Sequence, residues 1–558
     1  MKHCLFRHFL LASYFVSCVV ALWPIPRTLS TGSTPLLLAG DFKITTRVPK
    51  APSDLSDAVS RTLNHIKTDK LERLVVGRGA ADASSLRGAK QLHSLELSLA
   101  SGVQVRSISQ EAILPIGTRS EGYTLHIPSD GSTATLSANS TLGLLRGLTT
   151  FEQLWYFNNG EIYTLESPFS ITDSPAYPYR GLMLDTSRNF FPVSDIKRTL
   201  DAMTLAKMNQ FHWHATDSQS FPLQIPGFIE IATKGAYSSS MVYTTDDIKS
   251  IVSYAAARGI DVLIEIDTPG HTAIIAESHP EHVACVLATP WSQFAGEPPA
   301  GQLRMASPAT ANFTAELLSA AAKIFPSSMF STGGDEINTN CYEHDNQTQA
   351  ILQYTGQTLD QALSAFTQTT HGALRNAGKT PVVWEEMVLE HNVTLLNETI
   401  AIVWISSEHA ASIVQKNFRI VHGPSDFFYL DCGAGEWIGN DPTGNSWCDP
   451  FKSWQKAYTF DPLANISSSQ AHLVLGGQQL LWTEQSSPTN LDPIVWPRAA
   501  SSAEVFWTGA TLPDGSPRDV GSALARIHDF RFRLVQRGVN AIALQPLWCA
   551  LRPGQCDG

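Results

Sequence analysis

The sequence predicts an α/β protein in which a (β/α)8 TIM barrel follows a smaller α+β domain. From residue 179 onward, short apolar strand candidates alternate with helical segments, a repeat that closes most simply as a right-handed parallel barrel. Before that point, helices and a hairpin follow one another without such a repeat. The boundary lies at Asp173-Ser-Pro-Ala-Tyr-Pro178, because proline is excluded from helix interiors and central strands. We therefore expect domains at 22–172 and 173–558.

The N-terminal domain is predicted to contain two helices and a hairpin. Apolar residues at helical spacing predict helices over 54–68 and 139–155. Residues 122–128 and 133–137 alternate between apolar and polar around the turn Ser129-Asp-Gly-Ser132, which predicts the hairpin. No catalytic cluster is evident in this part of the sequence.

The barrel segment contains eight strand candidates, over 181–185, 210–214, 259–266, 329–332, 381–384, 400–405, 418–421 and 473–481. Most of them have helical segments between them, as a (β/α)8 barrel requires. The stretch 423–470 is long and rich in Gly and Pro, so we expect an irregular seventh unit with a functional role.

The composition limits the class of partner. Hydrophobic residues make up 43% of the chain, enough for a large core, while charged residues make up only 16% and the net charge is −12. This acidity argues against a nucleic-acid protein, because affinity for phosphate backbones comes from Lys and Arg. A neutral polymer such as a glycan fits this composition.

The first 21 residues predict a secretory signal peptide. Lys2, His3 and Arg7 precede an apolar stretch over 9–22, and a cut after Ala21 fits the small residues there. A membrane anchor is the alternative, but the apolar run is short for a span, and no other stretch reaches about 18 uninterrupted apolar residues. We expect secretion, with a vacuolar or lysosomal location as the alternative.

The cysteines and sequons agree with export. Six cysteines lie beyond the signal peptide, and the simplest of their fifteen pairings joins neighbours: Cys285 with Cys341, Cys432 with Cys448, and Cys549 with Cys556. No pair has the C-x-x-C spacing of a zinc site. Six sequons are available for N-glycosylation, at Asn139, Asn312, Asn346, Asn392, Asn397 and Asn465.

Polar and aromatic residues collect where the predicted strands end, which is where a barrel places its active site. These segments are Asp185-Thr-Ser-Arg188, His212-Trp-His-Ala-Thr-Asp217, Glu265-Ile-Asp-Thr-Pro-Gly-His271, Gly333-Gly-Asp-Glu336, Trp384-Glu-Glu386, Trp404 and Trp482-Thr-Glu484. Aromatic walls with carboxylates and an arginine suit a sugar, whose ring faces stack on Trp while its hydroxyls need charged partners.

Two of these clusters have simpler interpretations. Asp335 and Glu336 are neighbours, whose side chains point to opposite faces of a strand, and they could be solvated loop acids. The preceding Gly333-Gly334 favours a site, because two glycines let the backbone bend. His212 and His214 could be metal ligands, but no matching acid or Cys spacing supports this, and we expect barrel packing and no metal.

Two other residues leave a choice. His271 could be a loop cap, but its place at the rim favours a supporting role in the site equally well. Arg180 and Arg188 flank the same strand, and Arg188 lies beyond its C-terminal end, so we assign Arg188 to the substrate face and Arg180 to the stability face.

Five of these motifs resemble one known family. Arg180-Gly-Leu-Met-Leu-Asp-Thr-Ser-Arg188, Phe211-His-Trp-His-Ala-Thr-Asp217, Asp267-Thr-Pro-Gly-His271, Gly333-Gly-Asp-Glu336, and Trp482-Thr-Glu484 with Trp496-Pro-Arg498 look like glycoside hydrolase family 20, the β-N-acetylhexosaminidases. The resemblance covers residues from about 120 to 556, and Asp217-Ser-Gln-Ser220 looks most like the secreted fungal members. Ser331 departs from the pattern, since many members have His there.

The resemblance implies a retaining, substrate-assisted mechanism, in which the substrate's own 2-acetamido oxygen attacks the anomeric carbon. Glu336 would be the general acid and then the base, and Asp335 would orient the acetamido N–H and stabilise the positive intermediate. Tyr429 would hold the acetamido oxygen. The mechanism calls for an ionised Asp335 and a protonated Glu336.

The resemblance also implies the rest of the site, without a cofactor. Asp217 and His271 would support Glu336, Arg188 and Glu484 would bind O3 and O4, and Asp431 would bind O6. The pocket walls would be Trp384, Trp404 and Trp482. Such a closed pocket accepts only a chain end, so the enzyme would act exo on terminal β-GlcNAc or β-GalNAc. Chitin oligomers, N-glycans and glycolipids all remain candidate substrates, and a homodimer is compatible with the family.

Two other functions also fit the sequence. A catalytically inactive glycan-binding protein could use the same barrel, although the intact acid pair and Tyr429 count against it. A metal-dependent hydrolase could use His212 and His214.

Overall fold

The computed structural model describes residues 21–556, so the predicted signal peptide lies, apart from its last residue, outside the described part of the chain. Within 21–556, no helix combines the length and the apolar character that a membrane span requires.

The N-terminal domain is a six-stranded sheet with helices packed on it. Its strands are β1 (Thr28–Thr46), β2 (Lys90–Leu99), β3 (Tyr123–Ile127), β4 (Ala134–Ala138), β5 (Tyr156–Asn158) and β6 (Glu161–Asp173). Its helices are α1 (Ser53–Thr68), α2 (Ala83–Leu86), α3 (Ile108–Ala112) and α4 (Thr141–Glu152). The sheet order is β1-β2-β4-β3-β6-β5, and β1 also pairs with β6.

The elements predicted for this domain are present, but the sheet is larger than the sequence indicated. The predicted hairpin corresponds to β3 and β4, which pair antiparallel. The helix predicted over 139–155 is α4, which begins after Ser140 because the Ser140 hydroxyl accepts the N–H of Gly143 at 2.9 Å. Strands β1, β2, β5 and β6 were not predicted.

Eight parallel strands then close into a barrel, as predicted. They are β7 (Tyr179–Asp185), β8 (Gln210–His214), β9 (Asp261–Glu265), β12 (Met329–Ser331), β13 (Thr380–Trp384), β14 (Ile400–Val403), β15 (Arg419–His422) and β16 (Val474–Leu481), and a two-stranded ribbon of β10 (Val283–Ala284) and β11 (Gln302–Leu303) lies between β9 and β12. Their side chains are almost all buried, since such strands are covered on both faces.

The helices of the barrel segment lie between and after these strands. They are α5 (Val193–Leu205), α6 (Ile229–Gly235), α7 (Thr245–Ala256), α8 (Pro308–Ala322), α9 (Thr339–His344), α10 (Asn346–Thr355), α11 (Leu359–Asn376), α12 (Glu386–Leu389), α13 (Ala410–Gln415), α14 (Ser425–Phe428), α15 (Trp454–Tyr458), α16 (Leu491–Val495), α17 (Arg498–Thr508), α18 (Val520–Gln536) and α19 (Leu547–Ala550). The stretch between β15 and β16 holds only short helices, in line with the irregular seventh unit that was expected.

Buried ion pairs join the N-terminal domain to the N-terminal ends of the barrel strands. Glu121 accepts hydrogen bonds from Arg146 at 2.8 Å and from Arg180 at 2.5 Å, and all three side chains are buried. Arg119 donates to Asp261, the first residue of β9, at 2.7 Å. Arg180 therefore lies on the stability face of the barrel, as its position in the sequence predicted.

The segment that follows the predicted signal peptide packs against the last two long helices, α17 and α18. The indole of Trp23 is fully buried and donates to the carbonyl of Ala500 at 2.8 Å. Ile25 N–H donates to Glu504 at 2.8 Å, and Arg526 binds both Glu504 and the carbonyl of Leu22. The start of the described chain is thus packed against α17 and α18.

Three disulfides join the neighbouring cysteines: Cys285–Cys341, Cys432–Cys448 and Cys549–Cys556. This is the pairing that the sequence suggested. The side chains of the six sequon asparagines are all exposed.

Candidate active site

A pocket opens at the C-terminal rim of the barrel, and it brings together most of the residues that the sequence singled out. Of the predicted site residues, those lining it are Arg188, His271, Asp335, Glu336, Trp404, Tyr429, Asp431, Trp482 and Glu484. Asp217 and Trp384 lie beneath its surface, each 1% exposed, and the ring of Trp384 lies 5.9 Å from that of Trp482.

The two glycines after β12 produce the bend that was predicted for them. Gly333 and Gly334 have φ values of 63° and 91°, in the left-handed region. A Cβ on Gly333 would collide with the carboxyl of Asp267, and one on Gly334 would lie 2.7 Å from Cγ of Met387. The turn directs Asp335 into the pocket floor, while Glu336 stays partly accessible.

Asp335 lies against a second buried carboxyl group, that of Asp267. Burial raises the pKa of Asp267 to about 7, and burial together with Asp267 raises the pKa of Asp335 well above its usual range. Two carboxyl groups in contact cannot both ionise easily, so the pair holds a proton near neutral pH.

A chain of hydrogen-bonding groups leads to Glu336. Nδ1 of His271 lies 3.1 Å from Oδ1 of Asp217, and its Nε2 lies 3.4 Å from Glu336 and 3.7 Å from Asp335. Burial alone would lower the pKa of His271, but Asp217 and Asp335 raise it well above its usual value. We conclude that His271 is a cation held between the two acids of the predicted pair.

The structure reverses the predicted order of the two acid pKa values. Burial would raise the pKa of Glu336, but the hydrogen bond and charge of His271 outweigh it and lower that pKa. Asp335, expected to be ionised, has the raised pKa instead. The reason is that both acids lie near the His271 cation, but Asp335 also lies against the carboxyl group of Asp267.

Arg188 is held by more acids than the sequence indicated. It donates to Glu297 and to Asp217, the latter at 2.9 Å, and its guanidinium lies 5.0 Å from the ring of Trp482. Glu297 belongs to the irregular stretch between β10 and β11 and follows Gly296, which packs against Glu336. Nothing in that stretch marks Glu297 as functional, so the sequence could not identify it.

Aromatic rings form one side of the pocket. Trp404 and Tyr429 are nearly parallel at 14°, with centroids 6.3 Å apart, and Trp447 meets both edge-on at 5.3 and 5.7 Å. Trp447 was not predicted, and it lies in the segment that the Cys432–Cys448 disulfide closes. Trp437, in the same segment, also lines the pocket and was likewise not predicted.

Two further acids complete the polar side of the pocket. Burial raises the pKa of Asp431 to about 7 and that of Glu484 well above its usual value. Asp431 accepts the backbone N–H of Trp482 at 3.3 Å. The raised pKa favours the protonated form of both carboxyl groups, and that form can both donate and accept hydrogen bonds with hydroxyl groups.

The histidines of β8 are tied to protein side chains. Glu265 contacts Nε2 of His212 at 3.0 Å and Nδ1 of His214 at 2.5 Å, while Nε2 of His214 lies 2.9 Å from Asp217. Nδ1 of His212 accepts from Gln478 at 3.0 Å. These contacts match the barrel packing that was expected. Ser331, the departure noted in the sequence, donates to Glu265 as well.

One group in the pocket has the composition of a metal site. Asp217, Asp267 and His271 each bring a ligand atom within 4.8 Å of the others. Because Asp217 already pairs with Arg188 and His271, its carboxylate is committed to side-chain cations. Asp431 with Cys432 and Cys448 forms a similar group, but there both sulfurs belong to a disulfide.

The barrel and its acidic, aromatic rim define a glycosidase, and comparison with known proteins identifies its family. The description "Glycosyl hydrolase family 20, catalytic domain" matches residues 177–510, and "beta-acetyl hexosaminidase like" matches residues 22–154. The chain therefore belongs to glycoside hydrolase family 20, as its motifs predicted.

Individual relatives agree with this assignment. A beta-hexosaminidase of Arthroderma benhamiae is 36% identical over 464 residues, which cover 78% of this chain and 74% of the relative. A chitooligosaccharidolytic beta-N-acetylglucosaminidase of Bombyx mori is 35% identical, with 78% and 75% covered. The structure of Flavobacterium johnsoniae chitobiase superimposes with a TM-score of 0.73 at 26% identity, over 93% of this chain and 73% of that one.

Proposed function

We propose that this protein is an exo-acting β-N-acetylhexosaminidase that removes terminal β-linked N-acetylglucosamine or N-acetylgalactosamine with retention, through the substrate's own 2-acetamido group. One observation carries the proposal. Within the described chain, Oδ1 of Asp335 and Oη of Tyr429 are buried in the pocket, and no partner meets hydrogen-bond geometry with either. Buried polar groups without partners are costly, and these two match the N–H and C=O of an acetamido group.

In the first half of the reaction, the acetamido oxygen bonds to the anomeric carbon as the glycosidic bond breaks. Glu336 gives its proton to the departing glycosidic oxygen. Asp335 binds the acetamido N–H and balances the positive charge of the oxazolinium ring, and Tyr429 donates to the acetamido oxygen. In the second half, Glu336 takes a proton from water as the water oxygen bonds to the anomeric carbon and the bond from the acetamido oxygen to that carbon breaks. The two inversions together retain the β configuration.

Because the pKa values are reversed, a proton must move from Asp335 toward Glu336 before the reaction can begin. The mechanism needs a proton on Glu336 and a carboxylate at Asp335, whereas the geometry favours the opposite. Nε2 of His271 lies 3.4 Å from Glu336 and 3.7 Å from Asp335, so the His271 cation can give its Nε2 proton to Glu336 and then take the proton of Asp335 at the same nitrogen. We infer that arrival of the acetamido N–H at Asp335 favours its ionised form and drives this transfer.

The remaining pocket residues suit the hydroxyl groups of a terminal sugar. We assign O3 and O4 to Arg188 and Glu484, and O6 to Asp431, since a guanidinium donates hydrogen bonds to hydroxyl groups and a protonated carboxyl group both donates and accepts them. The ring of Trp482, with Trp404 and the underlying Trp384, supplies the apolar surface. These assignments place the non-reducing end of the glycan at the pocket floor.

The disulfides and the sequons bear on the biological setting. We infer a secreted glycoprotein from three disulfides and six exposed sequons, with a vacuolar or lysosomal location as the alternative. A relative that acts on chitooligosaccharides favours chitin oligomers as substrates. The homodimer expected from the family stays a prediction.

The test compares 4-nitrophenyl glycosides of β-GlcNAc, β-GalNAc and β-glucose. We expect rapid release of nitrophenol from the two acetamido sugars, very little from the glucoside, and a β product by NMR. An inactive glycan-binding protein would release none. Loss of activity with a chelator would favour the metal-dependent rival, and an α product would reject substrate assistance.

A further inference from the structure

Two successive glutamates at the end of β13 hold a single tryptophan. Glu385 accepts the backbone N–H of Trp404 at 3.0 Å. Glu386 accepts the indole N–H of the same residue at 2.7 Å, and its side chain is buried. The first contact fixes the backbone position of Trp404 just after β14. The second fixes the orientation of its indole ring.

The orientation of this ring matters because Trp404 is a wall of the pocket. One side of it faces Tyr429 in a nearly parallel arrangement, and Trp447 packs edge-on against both rings. The residue is only partly buried, so packing alone leaves the indole free to tilt toward the open pocket. The hydrogen bond to Glu386 is the contact that ties its inner edge to the barrel.

The charge of Glu386 is compatible with a place near the reaction. Burial, together with the neighbouring Asp335, raises the pKa of Glu386 to about 9. A neutral carboxyl group still offers a carbonyl oxygen to the indole, and it adds no negative charge beside Asp335. Glutamine has the same shape and the same acceptor, which makes it a close substitute for the neutral acid.

We propose that Glu386 is a positioning residue for catalysis: by binding the indole N–H of Trp404, it holds that ring against Tyr429, so that the acetamido group is fixed between Trp404, Tyr429 and Asp335. This inference rests on the proposed function. Glu386 does not touch the reacting atoms, and its effect passes through Trp404 alone.

A double-mutant cycle tests this route. Glu386→Leu removes the acceptor, and Trp404→Phe removes the donor. We expect each to lower kcat/KM by about 10²-fold, the cost of displacing a reacting group by about 1 Å. A thiazoline that mimics the cyclised acetamido should bind each variant more weakly by a similar factor. Because both changes break one contact, Glu386→Leu should add less than about threefold in the Trp404→Phe background.

Two further variants separate positioning from a general structural role. Glu386→Gln should retain at least about a third of wild-type kcat/KM, because it keeps the acceptor. Glu390→Gln, at an exposed glutamate just after the same short helix, is the matched control and should match wild type. If Glu386→Leu fails to fold, Glu386→Ala enters the cycle in its place.

The possible outcomes distinguish failure of this proposal from failure of the proposed function. Equal losses from Glu386→Leu with and without Trp404→Phe, or a Glu386→Gln variant as impaired as Glu386→Leu, would overturn the proposal. If wild type neither hydrolyses the acetamido glycosides nor binds the thiazoline, the proposed function fails instead. The same cycle on the urea midpoint of unfolding then decides whether Glu386 and Trp404 act as a pair, since additive midpoints would reject it.

Discussion

A single methyl group at residue 296 can test whether Glu336 is the general acid. Gly296 lies against the Glu336 carboxyl group, and a Cβ there would fall 2.6 Å from its Cδ, where ordinary contact begins near 3.4 Å. In Gly296→Ala the carboxyl group must therefore move by about 1 Å. A displacement of that size costs about 10²-fold in rate, or about 2.7 kcal/mol of transition-state stabilisation.

We expect the same substitution to have little effect on the stability of the fold. The group that must yield is the end of a flexible side chain, and the φ of Gly296 lies outside the left-handed region, so alanine fits the backbone. We therefore expect Gly296→Ala to lose activity at an unchanged unfolding midpoint. The loss should be larger for chitobiose than for the 4-nitrophenyl glycoside, because a poor leaving group depends more on protonation.

Gly372→Ala is the matched control. Gly372 lies within α11, and a Cβ there would meet nothing within 4 Å. This variant should keep full activity and gain about 0.5–1 kcal/mol in unfolding free energy. If Gly296→Ala retained wild-type kcat/KM on both substrates, or lost activity only in proportion to its stability, the placement of the acid would be refuted.

Three further results are expected. Asp335→Asn keeps the shape of the side chain but loses its charge, so kcat should fall by about 10³-fold, or about 4 kcal/mol, and the thiazoline should bind this variant poorly; unchanged thiazoline binding would contradict the role of Asp335. The pKa of His214 is raised from 6.5 to about 10, despite burial, by hydrogen bonds to Asp217 and Glu265, so its stabilising charge is fully present below pH 6.5 and lost as the pH rises through 10. The unfolding free energy, measured in urea, should therefore decline across that range more steeply in wild type than in His214→Gln, and parallel curves would reject this. The unreduced chain from residue 22 onward should titrate no free thiol in denaturant, and each disulfide removed by paired Cys→Ser substitution should cost about 2–5 kcal/mol; two or more thiols per chain would contradict the pairing.

The barrel could be predicted because its strands are short apolar runs that recur at regular intervals. The strand candidate at 210–214 coincides with β8, and the other seven differ from the observed strands only by a few residues at their ends. Strand β1 was missed for the opposite reason. Its 19 residues include Gly, Pro and Asp, and they pair with β2 on one side and β6 on the other through register shifts that no local pattern encodes.

The site was predictable to the extent that it lies at strand ends. Asp335, His271 and Arg188 directly follow barrel strands, so the closure of the barrel brings them together. Glu297 was missed because it reaches Arg188 from an irregular loop.

The order of the acid pKa values could not be derived from adjacency in the chain either. It depends on the contact of Asp267 with Asp335 and on the short distance from His271 to Glu336, and these are contacts in space.

The packing of Trp23 against the last two long helices, α17 and α18, has a consequence for how the protein is made. The contacts of Leu22, Trp23 and Ile25 span 504, 477 and 479 residues of chain. During synthesis, Trp23 therefore leaves the ribosome early. The residues that bind its indole are made only when most of the polypeptide is complete. Contacts of such long range form late and slowly. A nascent chain that stalls before residue 500 keeps an apolar N-terminal segment exposed, which is the kind of surface that chaperones hold and that promotes aggregation.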